Sequence, residues 1–199
     1  MPLKNTAANY GTIAKWLHWG TALLFLGAYV SVYYRQWFTA PCDANGCPTN
    51  NWNALQLHLS IGISIGVIVL LRILWRLYNR PPTPEPGTRL EHLAIKTGHY
   101  ALYAIMILAP LTGYMGTGIN TDFFFLFEVP KFESTPLSST LLSALNTPAE
   151  QFEKVVDFIH KDILGRWLIW ILIAGHTTAA LYHHFIKKDR TLQKMTTGK

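Results

Sequence analysis

The sequence predicts an all-α integral membrane protein, a four-helix bundle with both termini in the cytoplasm. Half of the residues are hydrophobic and only 14% are charged, against roughly 25% in an average soluble domain. Four apolar stretches each hold about 20 residues, which is enough to cross a hydrocarbon core of about 30 Å. Each stretch contains at least one of the eight histidines of the chain, although ionisable side chains are costly in a membrane and are usually functional there.

The four spans are predicted over residues 13–34, 52–78, 93–115 and 158–186, within a single domain that covers residues 1–199. The first apolar run lacks the short core and small-residue cleavage site of a signal peptide, so we expect it to remain in the mature protein.

The segment between the third and fourth spans, residues 117–157, is too long to be an unstructured loop. Four leucines recur there at helical spacing and predict a short amphipathic helix at the membrane interface: Leu137, Leu141, Leu142 and Leu145. A cluster of aromatic residues from Phe123 to Phe127 is expected to dip into the headgroup region as an interfacial anchor.

The distribution of basic residues predicts the orientation. Twelve Lys and Arg residues lie at the termini and between the second and third spans, against five on the opposite side. By the positive-inside rule, both termini are cytoplasmic. The net charge of +6 is therefore a consequence of topology and gives no support to nucleic-acid binding. The outer side carries eight acidic residues against its five basic ones, so it is net negative.

The only two cysteines, Cys42 and Cys47, lie in the short outer loop that runs from Pro41 to Pro48. An oxidising periplasm permits a disulfide here, and Asn45 with Gly46 suits a tight turn. Free thiols and a metal-binding pair are the alternatives. No other thiol or exposed His cluster accompanies the pair, which disfavours a metal site, and the oxidising compartment favours the disulfide over free thiols.

Depth along the helices pairs four of the histidines. His18 lies near the cytoplasmic end of the first span, and His58 near the periplasmic end of the second. His160 opens the fourth span, and His176 follows 16 residues later, about 24 Å along a helix. The depths match His58 with His160 and His18 with His176. Imidazole is a common haem ligand, so two bis-histidine haems account for all four, although any single one is as often a packing residue.

Small residues accompany these histidines. Gly62 and Gly66 lie beside His58, and Gly175 precedes His176. Glycine presents a surface without side chains, against which a flat macrocycle can lie. Close helix packing through small residues is the alternative interpretation, and the two are compatible.

Eight segments of the chain carry a family resemblance. They are residues 15–19, 58–62, 72–76, 81–86, 98–103, 110–114, 176–184 and 188–192. With these segments the sequence resembles the bacterial cytochrome b561 family, the di-haem membrane cytochromes that include superoxide oxidases and are related to the cytochrome b subunits of hydrogenases. The resemblance covers nearly the whole chain.

The resemblance implies that two b haems are held by His18, His58, His160 and His176. In similar proteins the two ligands of the fourth span are about 14 residues apart, which returns them to nearly the same helix face. Here they are 16 residues apart, which misses that face by about 160° in a regular α-helix. We therefore expect a π-bulge or kink near Gly165, or a regular helix that begins only after His160.

Four further residues are candidates for cofactor binding. Arg72 and Arg76, at the cytoplasmic end of the second span, are suited to haem propionates because guanidinium binds carboxylate bidentately; snorkelling to lipid phosphate is the alternative. His99 and His183 lie near the cytoplasmic boundary, where a neutral imidazole can hydrogen-bond a quinone carbonyl. His183 is two turns beyond His176 and on its face, whereas His184 is expected to face lipid or the surface.

Together these features predict one-electron transfer across the bacterial inner membrane, from a periplasmic donor through two haems to ubiquinone. The resemblance implies an oxidoreductase with superoxide as donor, although a net negative outer face repels this anion unless Arg35, Lys131 or Lys161 focuses it. The alternative is a non-catalytic haem relay that docks a periplasmic redox protein through residues 117–157. The expected partners are membrane lipid, quinone and that redox protein, with no nucleic acid.

Overall fold

The chain folds into four long helices and a group of shorter elements at one end of the bundle. A computed structural model describes residues 2–44 and 46–198. The first three helices are α1 (Thr12–Phe38), α2 (Thr49–Tyr78) and α3 (Arg89–Met115). The fourth runs without interruption over Ala149–Lys187. It comprises α5 (Ala149–Phe158), a π-helical stretch (Ile159–Leu168), α6 (Ile169–Tyr182) and a second π-helical stretch (His183–Lys187).

The shorter elements lie mostly between α3 and α5. An antiparallel hairpin pairs β1 (Thr121–Phe123) with β2 (Phe127–Val129), and a single 3₁₀ turn (Phe132–Ser134) follows. The helix predicted from the leucine spacing is α4 (Pro136–Leu145), and a last short helix, α7 (Thr191–Met195), closes the chain. The predicted all-α class is confirmed, with this small hairpin as its one β element among the described residues.

Three of the four helices are long and apolar enough to cross a membrane, namely Thr49–Tyr78, Arg89–Met115 and Ala149–Lys187. The 27 residues of α1 also provide sufficient length at 1.5 Å per residue, but this helix is less apolar. It carries Lys15 in its first turn and Arg35 in its last. Large apolar side chains such as Val67, Leu70 and Leu74 are exposed around the bundle, as expected of a surface that faces lipid.

Local chemistry sets the helix ends. Before α3, Thr88 and Glu91 form a reciprocal capping box, in which the Thr88 N–H donates to the Glu91 carboxylate at 2.8 Å. In α4, the Thr135 side chain caps the start and Pro136 occupies the first helical position. Pro48 directly precedes α2, where the missing N–H of proline is not needed.

Two apolar clusters hold the long helices together. In the first, Ala28 of α1 packs with Ile61 and Ile65 of α2 and with Met106 of α3. The second cluster joins α3 to the fourth helix and consists of Ile105, Ala109, Leu164 and Ile169. The bundle interior therefore runs along α3, which contributes to both clusters.

Both chain termini and the connection between α2 and α3 meet at one end of the bundle, here called the terminal end. The Thr83 N–H donates to the Ala7 carbonyl at 2.9 Å, and Lys194 Nζ donates to the Thr83 carbonyl at 2.7 Å. Lys15 is buried, and its Nζ donates to the Thr196 carbonyl at 2.8 Å. The described N-terminal and C-terminal segments thus share one end with the proline-rich connection.

The opposite end, here called the disulfide end, carries the loop between α1 and α2. Cys42 and Cys47 are bonded, with their Cα atoms 4.2 Å apart, so the predicted disulfide is confirmed. Asp43 and Gly46 exchange two backbone hydrogen bonds of 2.9 and 3.1 Å inside the bridge. Gly46 has φ of 120°, a backbone conformation that favours glycine. Asn45, also predicted to form this turn, lies outside the described residues.

Candidate functional site

The first candidate pair, His58 on α2 and His160 on the fourth helix, lies toward the disulfide end. Their ring centroids are 6.2 Å apart. A metal–imidazole bond is about 2 Å long and the ring centroid lies roughly 1 Å behind the nitrogen, so two imidazoles on opposite sides of one metal ion have centroids about 6 Å apart. The spacing of this pair fits a single shared ion.

The hydrogen bonds of this first pair leave the correct ring nitrogen for a metal. His58 Nδ1 donates to the Ala28 carbonyl at 2.9 Å. Thr112 Oγ1 donates its own hydrogen to the Leu108 carbonyl, so it accepts from His160 Nδ1 at 3.3 Å. With both Nδ1 atoms protonated, each neutral ring keeps its lone pair on Nε2. Such a second partner for Nδ1 is the usual means of orienting a metal-binding His.

A π-helical stretch brings His160 into place, as the 16-residue spacing predicted. It covers Ile159–Leu168 and includes both His160 and Gly165. Its hydrogen bonds run from i to i+5, so each residue advances by roughly 80° instead of 100°. Nine such steps followed by seven α-helical steps return His176 to about the face of His160.

Gly165 and Tyr29 support this π-helical stretch. The Tyr29 hydroxyl donates to the Gly165 carbonyl at 2.8 Å, which joins α1 to the fourth helix. A Cβ at Gly165 would lie 3.0 Å from the carbonyl oxygen of His160, so a side chain would press on the backbone of the candidate ligand. Neither contact was predicted from the sequence.

Gly113 is a further residue that the sequence analysis missed. A Cβ at this position would lie 2.9 Å from His160 Cε1, closer than real Cβ contacts permit. Gly113 therefore provides the space that the His160 ring occupies against α3. In the sequence, Gly113 is marked only by its place in segment 110–114, one of the segments that carry the family resemblance.

The second candidate site lies toward the terminal end and contains three histidines. His18 and His176, paired by depth in the sequence, have ring centroids 6.1 Å apart, close to the 6.2 Å of the first pair. His99 of α3, predicted to lie at the boundary and bind quinone, is 5.8 Å from His176. His176 therefore has two imidazole neighbours, of which His18 has the spacing nearer to that of the first pair.

Arg72 reaches into this second site. Its Nη2 donates to His18 Nδ1 at 3.1 Å, and its guanidinium lies 5.6 Å from the centre of the Tyr103 ring. Because Nδ1 accepts here, the neutral His18 ring carries its hydrogen on Nε2. A metal at Nε2 would require Nδ1 to carry the hydrogen and Arg72 to turn to another acceptor. Arg76, one turn later, is exposed, as expected for a side chain that snorkels to lipid.

The glycines near the histidines separate into two groups. No heavy atom outside their own backbone lies within 4 Å of the Cβ positions of Gly62 and Gly175, which suits the predicted contact with a flat ring. Gly66 instead packs against Pro110 of α3. A Cβ added at Gly66 would lie 3.7 Å from the Cβ of Pro110. Close helix packing, the alternative interpretation, therefore accounts for Gly66.

At the terminal end, His183 is held by an acidic partner. His183 Nδ1 and Asp189 Oδ2 are 2.5 Å apart, and the two side chains are only 13% and 15% exposed. Burial raises the pKa of the Asp189 carboxyl, but the hydrogen bonds from His183 and Thr191 outweigh burial and hold this pKa below its usual range. The Asp189 carboxylate therefore orients the ring and leaves Nε2 for another partner.

His184, predicted to face lipid or the surface, is only partly exposed. Its Nδ1 is enclosed without a hydrogen-bond partner among the described residues. The helix is π-helical from His183 to Lys187, but over the single step from His183 to His184 this changes the direction by only about 20°.

The three cations proposed to attract an anion differ in their partners. Lys131 is paired with Glu133 at 2.6 Å and Lys161 with Asp157 at 2.7 Å. Arg35 Nε instead donates to the amide oxygen of buried Asn51 at 2.9 Å. Within the described ranges, Arg35 has no carboxylate partner.

Comparison with known proteins decides the family. The family described as prokaryotic cytochrome b561 matches residues 9–198. The chain belongs to the prokaryotic cytochrome b561 family. Two similar proteins come from Escherichia coli (strain K12). Cytochrome b561 homolog 2 is 31% identical over 98% of this chain and 95% of its own length. Cytochrome b561 homolog 1 is 27% identical over 90% of this chain and 92% of its own length.

A third relative carries a more specific name. The protein named probable superoxide oxidase CybB, from Yersinia pestis, is 27% identical over 94% of this cytochrome b561 and 95% of its own length. Membership of the family supports membrane electron transfer by a cytochrome b and implies that this protein binds haem b. The spacing and hydrogen bonds of His58 and His160 fit that cofactor.

Proposed function

We propose that this cytochrome b561 passes single electrons across the bacterial inner membrane, from a donor at its disulfide end to ubiquinone at its terminal end. The observation that carries the proposal is the presence of two His pairs with centroid spacings of 6.2 and 6.1 Å, each on facing helices. Haem b, when bound, supplies reversible one-electron oxidation and reduction.

Four residues are the proposed haem ligands, His58 with His160 and His18 with His176. Ala28 and Thr112 hold the two Nδ1 atoms of the first pair, which fixes both rings. In the second pair, His18 is proposed over His99 because its spacing to His176 matches that of the first pair. Arg72 would then exchange its contact with His18 Nδ1 for a haem propionate, a bidentate acceptor.

The terminal end is proposed to face the cytoplasm. The termini and the connection between α2 and α3 meet there, and these segments together with the adjoining ends of the long helices carry twelve of the seventeen basic residues. Such an excess marks the cytoplasmic side. The disulfide at the opposite end suits an oxidising periplasm.

Superoxide is the proposed donor, in line with the name of the relative from Yersinia pestis. Arg35 supports an anionic reactant because it lacks a carboxylate partner within the described ranges, whereas Lys131 and Lys161 are each paired with one. A fixed cation in a site of low dielectric raises the local concentration of an anion. Asn51 holds this cation at the outer end of α1, where the net negative face would otherwise repel superoxide.

Ubiquinone is the proposed acceptor at the terminal end. The Asp189 carboxylate accepts from His183 Nδ1–H. With a second hydrogen on Nε2, the ring can donate to a quinone carbonyl, and without it Nε2 can accept from a quinol hydroxyl. Quinone reduction also requires protons, and a histidine with a carboxylate behind it is suited to deliver them. His183 and Asp189 are proposed to position the quinone and transfer its proton.

A second candidate function is a haem relay that receives electrons from a periplasmic redox protein. The observation in its favour is that α4 exposes Leu137 and Leu145 at the disulfide end, where a partner protein would bind. In this case the cytochrome performs no chemistry on a small molecule, and the partner determines the reaction.

Stopped-flow spectroscopy of the purified protein distinguishes the two functions. The oxidised haem-loaded protein is mixed with superoxide alone, and the haem absorbance is followed. Rapid reduction, followed by reoxidation when ubiquinone is added, supports the superoxide oxidase. If superoxide leaves the haems oxidised while quinol reduces them, the relay is supported and the superoxide proposal is rejected.

A further inference from the structure

One stripe along α2 changes from polar to apolar along its length. Towards the terminal end, Val67, Leu71 and Leu74 are 56%, 50% and 53% exposed, as expected of a surface in contact with lipid. Gln56 and Ser60 lie on the same stripe towards the disulfide end, yet both are completely buried, at 0% exposure. Something covers the lipid-facing side of α2 at these two polar residues.

The hairpin formed by β1 and β2 provides this cover. Gln56 Oε1 accepts from the Asp122 N–H at 2.8 Å, and Gln56 Nε2 donates to the Asn120 carbonyl at 3.3 Å. One turn further along α2, Ser60 Oγ accepts from the Phe124 N–H at 2.9 Å. The strand β1 therefore runs alongside α2, and its backbone is paired with side chains of that helix.

These contacts define how deep the hairpin reaches. The 30 residues of α2 extend about 45 Å, close to the full thickness of a bilayer with its headgroups. Ser60 lies 11 residues after the first residue of α2, about 16 Å along the helix. That distance exceeds the depth of one headgroup layer, so the tip of the hairpin lies at the level of the hydrocarbon.

The tip itself is apolar and exposed. Phe125, Leu126 and Phe127 are 57%, 79% and 58% exposed, and no charged residue lies between Asp122 and Glu128. Phe124 and Phe125 have φ of 46° and 62°, in the left-handed region that non-glycine residues rarely adopt. Such a backbone persists only where its surroundings fix it, and the bond from Phe124 to Ser60 does so.

We propose that the hairpin is a re-entrant, membrane-inserted element whose tip, Phe124–Phe127, contacts lipid acyl chains. Backbone that is neither helix nor barrel survives at this depth only if its polar groups are paired within the protein. Gln56 and Ser60 supply these partners, and the hairpin in turn keeps the two polar side chains out of lipid. The tip then lies among the lipid acyl chains and does not serve as a docking surface for protein.

The position of the tip beside α2 indicates that lipid acyl chains cover it. The tip lies on the same side of α2 as the exposed Val67, Leu71 and Leu74, so it is continuous with the surface that faces the bilayer. This inference is independent of the haem ligands, the donor and the acceptor.

Spin labelling tests the inference in the haem-loaded protein in phospholipid nanodiscs. Because Cys42 and Cys47 are bonded, a thiol introduced by Phe125→Cys is labelled selectively. Collisions with oxygen, which concentrates in lipid, are compared with collisions with a water-soluble nickel chelate. The controls are Val67→Cys on the apolar stripe and Glu150→Cys on α5, whose side chain is 82% exposed.

We expect the label at Phe125 to match that at Val67, with a several-fold higher ratio of oxygen to nickel collisions than at Glu150. A ratio like that at Glu150 would overturn the inference by placing the tip in water. Protection from both reagents would also overturn it, because a protein or a second copy of the chain would then cover the tip. Adding Gln56→Ala with Ser60→Ala should lower the ratio several-fold by releasing the hairpin, and an unchanged ratio would show that these side chains do not hold it.

Discussion

The position of His160 depends on residues that carry no chemistry of their own. Thr112 accepts its Nδ1–H at 3.3 Å, and Gly113 leaves room for its ring. His58 instead donates to the Ala28 carbonyl at 2.9 Å, with the Ser31 hydroxyl 3.4 Å from the same nitrogen. The geometry of the first pair therefore depends on one turn of α3 as much as on the ligands themselves.

Gly113→Ala should release the haem held by His58 and His160 while the other haem stays bound. Alanine normally stabilises a helix interior by up to about 1 kcal/mol relative to glycine, so any loss here reflects displacement of the His160 ring. The haem content per chain, from the pyridine haemochrome spectrum, gives the result. Gly27→Ala is the control, because its Cβ would meet Ile61 at an ordinary 3.5 Å. Two haems in both variants would contradict the role of Gly113.

His183→Ala should leave both haems bound but slow electron exchange with ubiquinol strongly, and Asp189→Asn should slow it to a smaller extent. The carboxylate orients the ring at 2.5 Å, and the amide keeps the shape of that side chain while it weakens the contact. Stopped-flow reduction of the haems by quinol measures both effects. If His183→Ala loses a haem, the residue is a ligand or structural support instead.

The contact between His183 and Asp189 also predicts a pH dependence. The pKa of Asp189 is held below its usual range, so its contribution to folding is complete above the unfolded value of about 3.9 and is lost as the pH falls through the lower folded pKa. Between pH 5 and 8 the carboxylate therefore stays ionised. A quinol rate that followed protonation of Asp189 within this window would contradict the assignment.

At the scale of elements, the π-helical stretch Ile159–Leu168 was predictable and the second one was not. The first appears in the sequence as a spacing of 16 residues between His160 and His176, which a regular helix does not reconcile with one face. The second, His183–Lys187, has no such pair of ligands to reveal it.

Tyr29→Phe should shift the midpoint potential or the absorption maximum of the haem beside His160, with only a small loss of stability. The hydroxyl bonds to the Gly165 carbonyl at 2.8 Å inside the π-helical stretch, and hydrogen bonds between membrane helices average about 0.6 kcal/mol. A redox titration followed in the visible spectrum reports the shift. Tyr34→Phe, at an exposed position of the same helix, is the control, and equal spectra in the two variants would contradict the coupling.

The hairpin shows the limit of pattern analysis at this scale. Its cluster of aromatic residues predicted contact with the membrane, but the depth depends on Gln56 and Ser60. These two residues are about 65 positions away in the sequence, and nothing in their local pattern indicates a partner. The packing of the hairpin against α2 can be recognised only from the hydrogen bonds between these distant segments.

At the scale of the whole molecule, hydropathy and histidine depth predicted the bundle and the proximity of the paired histidines. Depth along a helix is encoded in residue number, so matching it requires no knowledge of packing. The neighbours of each pair were not predictable in this way. His99 lies within 5.8 Å of His176, and Arg72 within 3.1 Å of His18, because α3 packs against the fourth helix and α2 packs against α1.

Arg35→Gln should slow haem reduction by superoxide several-fold and reduce its dependence on ionic strength. Steering by a fixed cation is a rate effect that salt screens, and Arg35 has no carboxylate partner among the described residues. Lys131→Gln is the control, because Lys131 is already paired with Glu133. Equal rates and equal salt dependence in the two variants would contradict steering by Arg35.

The central claim is that two haems are each held by one pair of histidines at opposite ends of the bundle. Haem quantification combined with a redox titration, carried out on the wild type and on His58→Ala, His18→Ala and His99→Ala, tests it most directly. We predict two b haems per chain in the wild type and in His99→Ala. His58→Ala and His18→Ala should each retain one haem, with different potentials. The proposed pairs would be contradicted if His58→Ala and His18→Ala lost the same haem. They would also be contradicted if His99→Ala lost a haem while His18→Ala retained two.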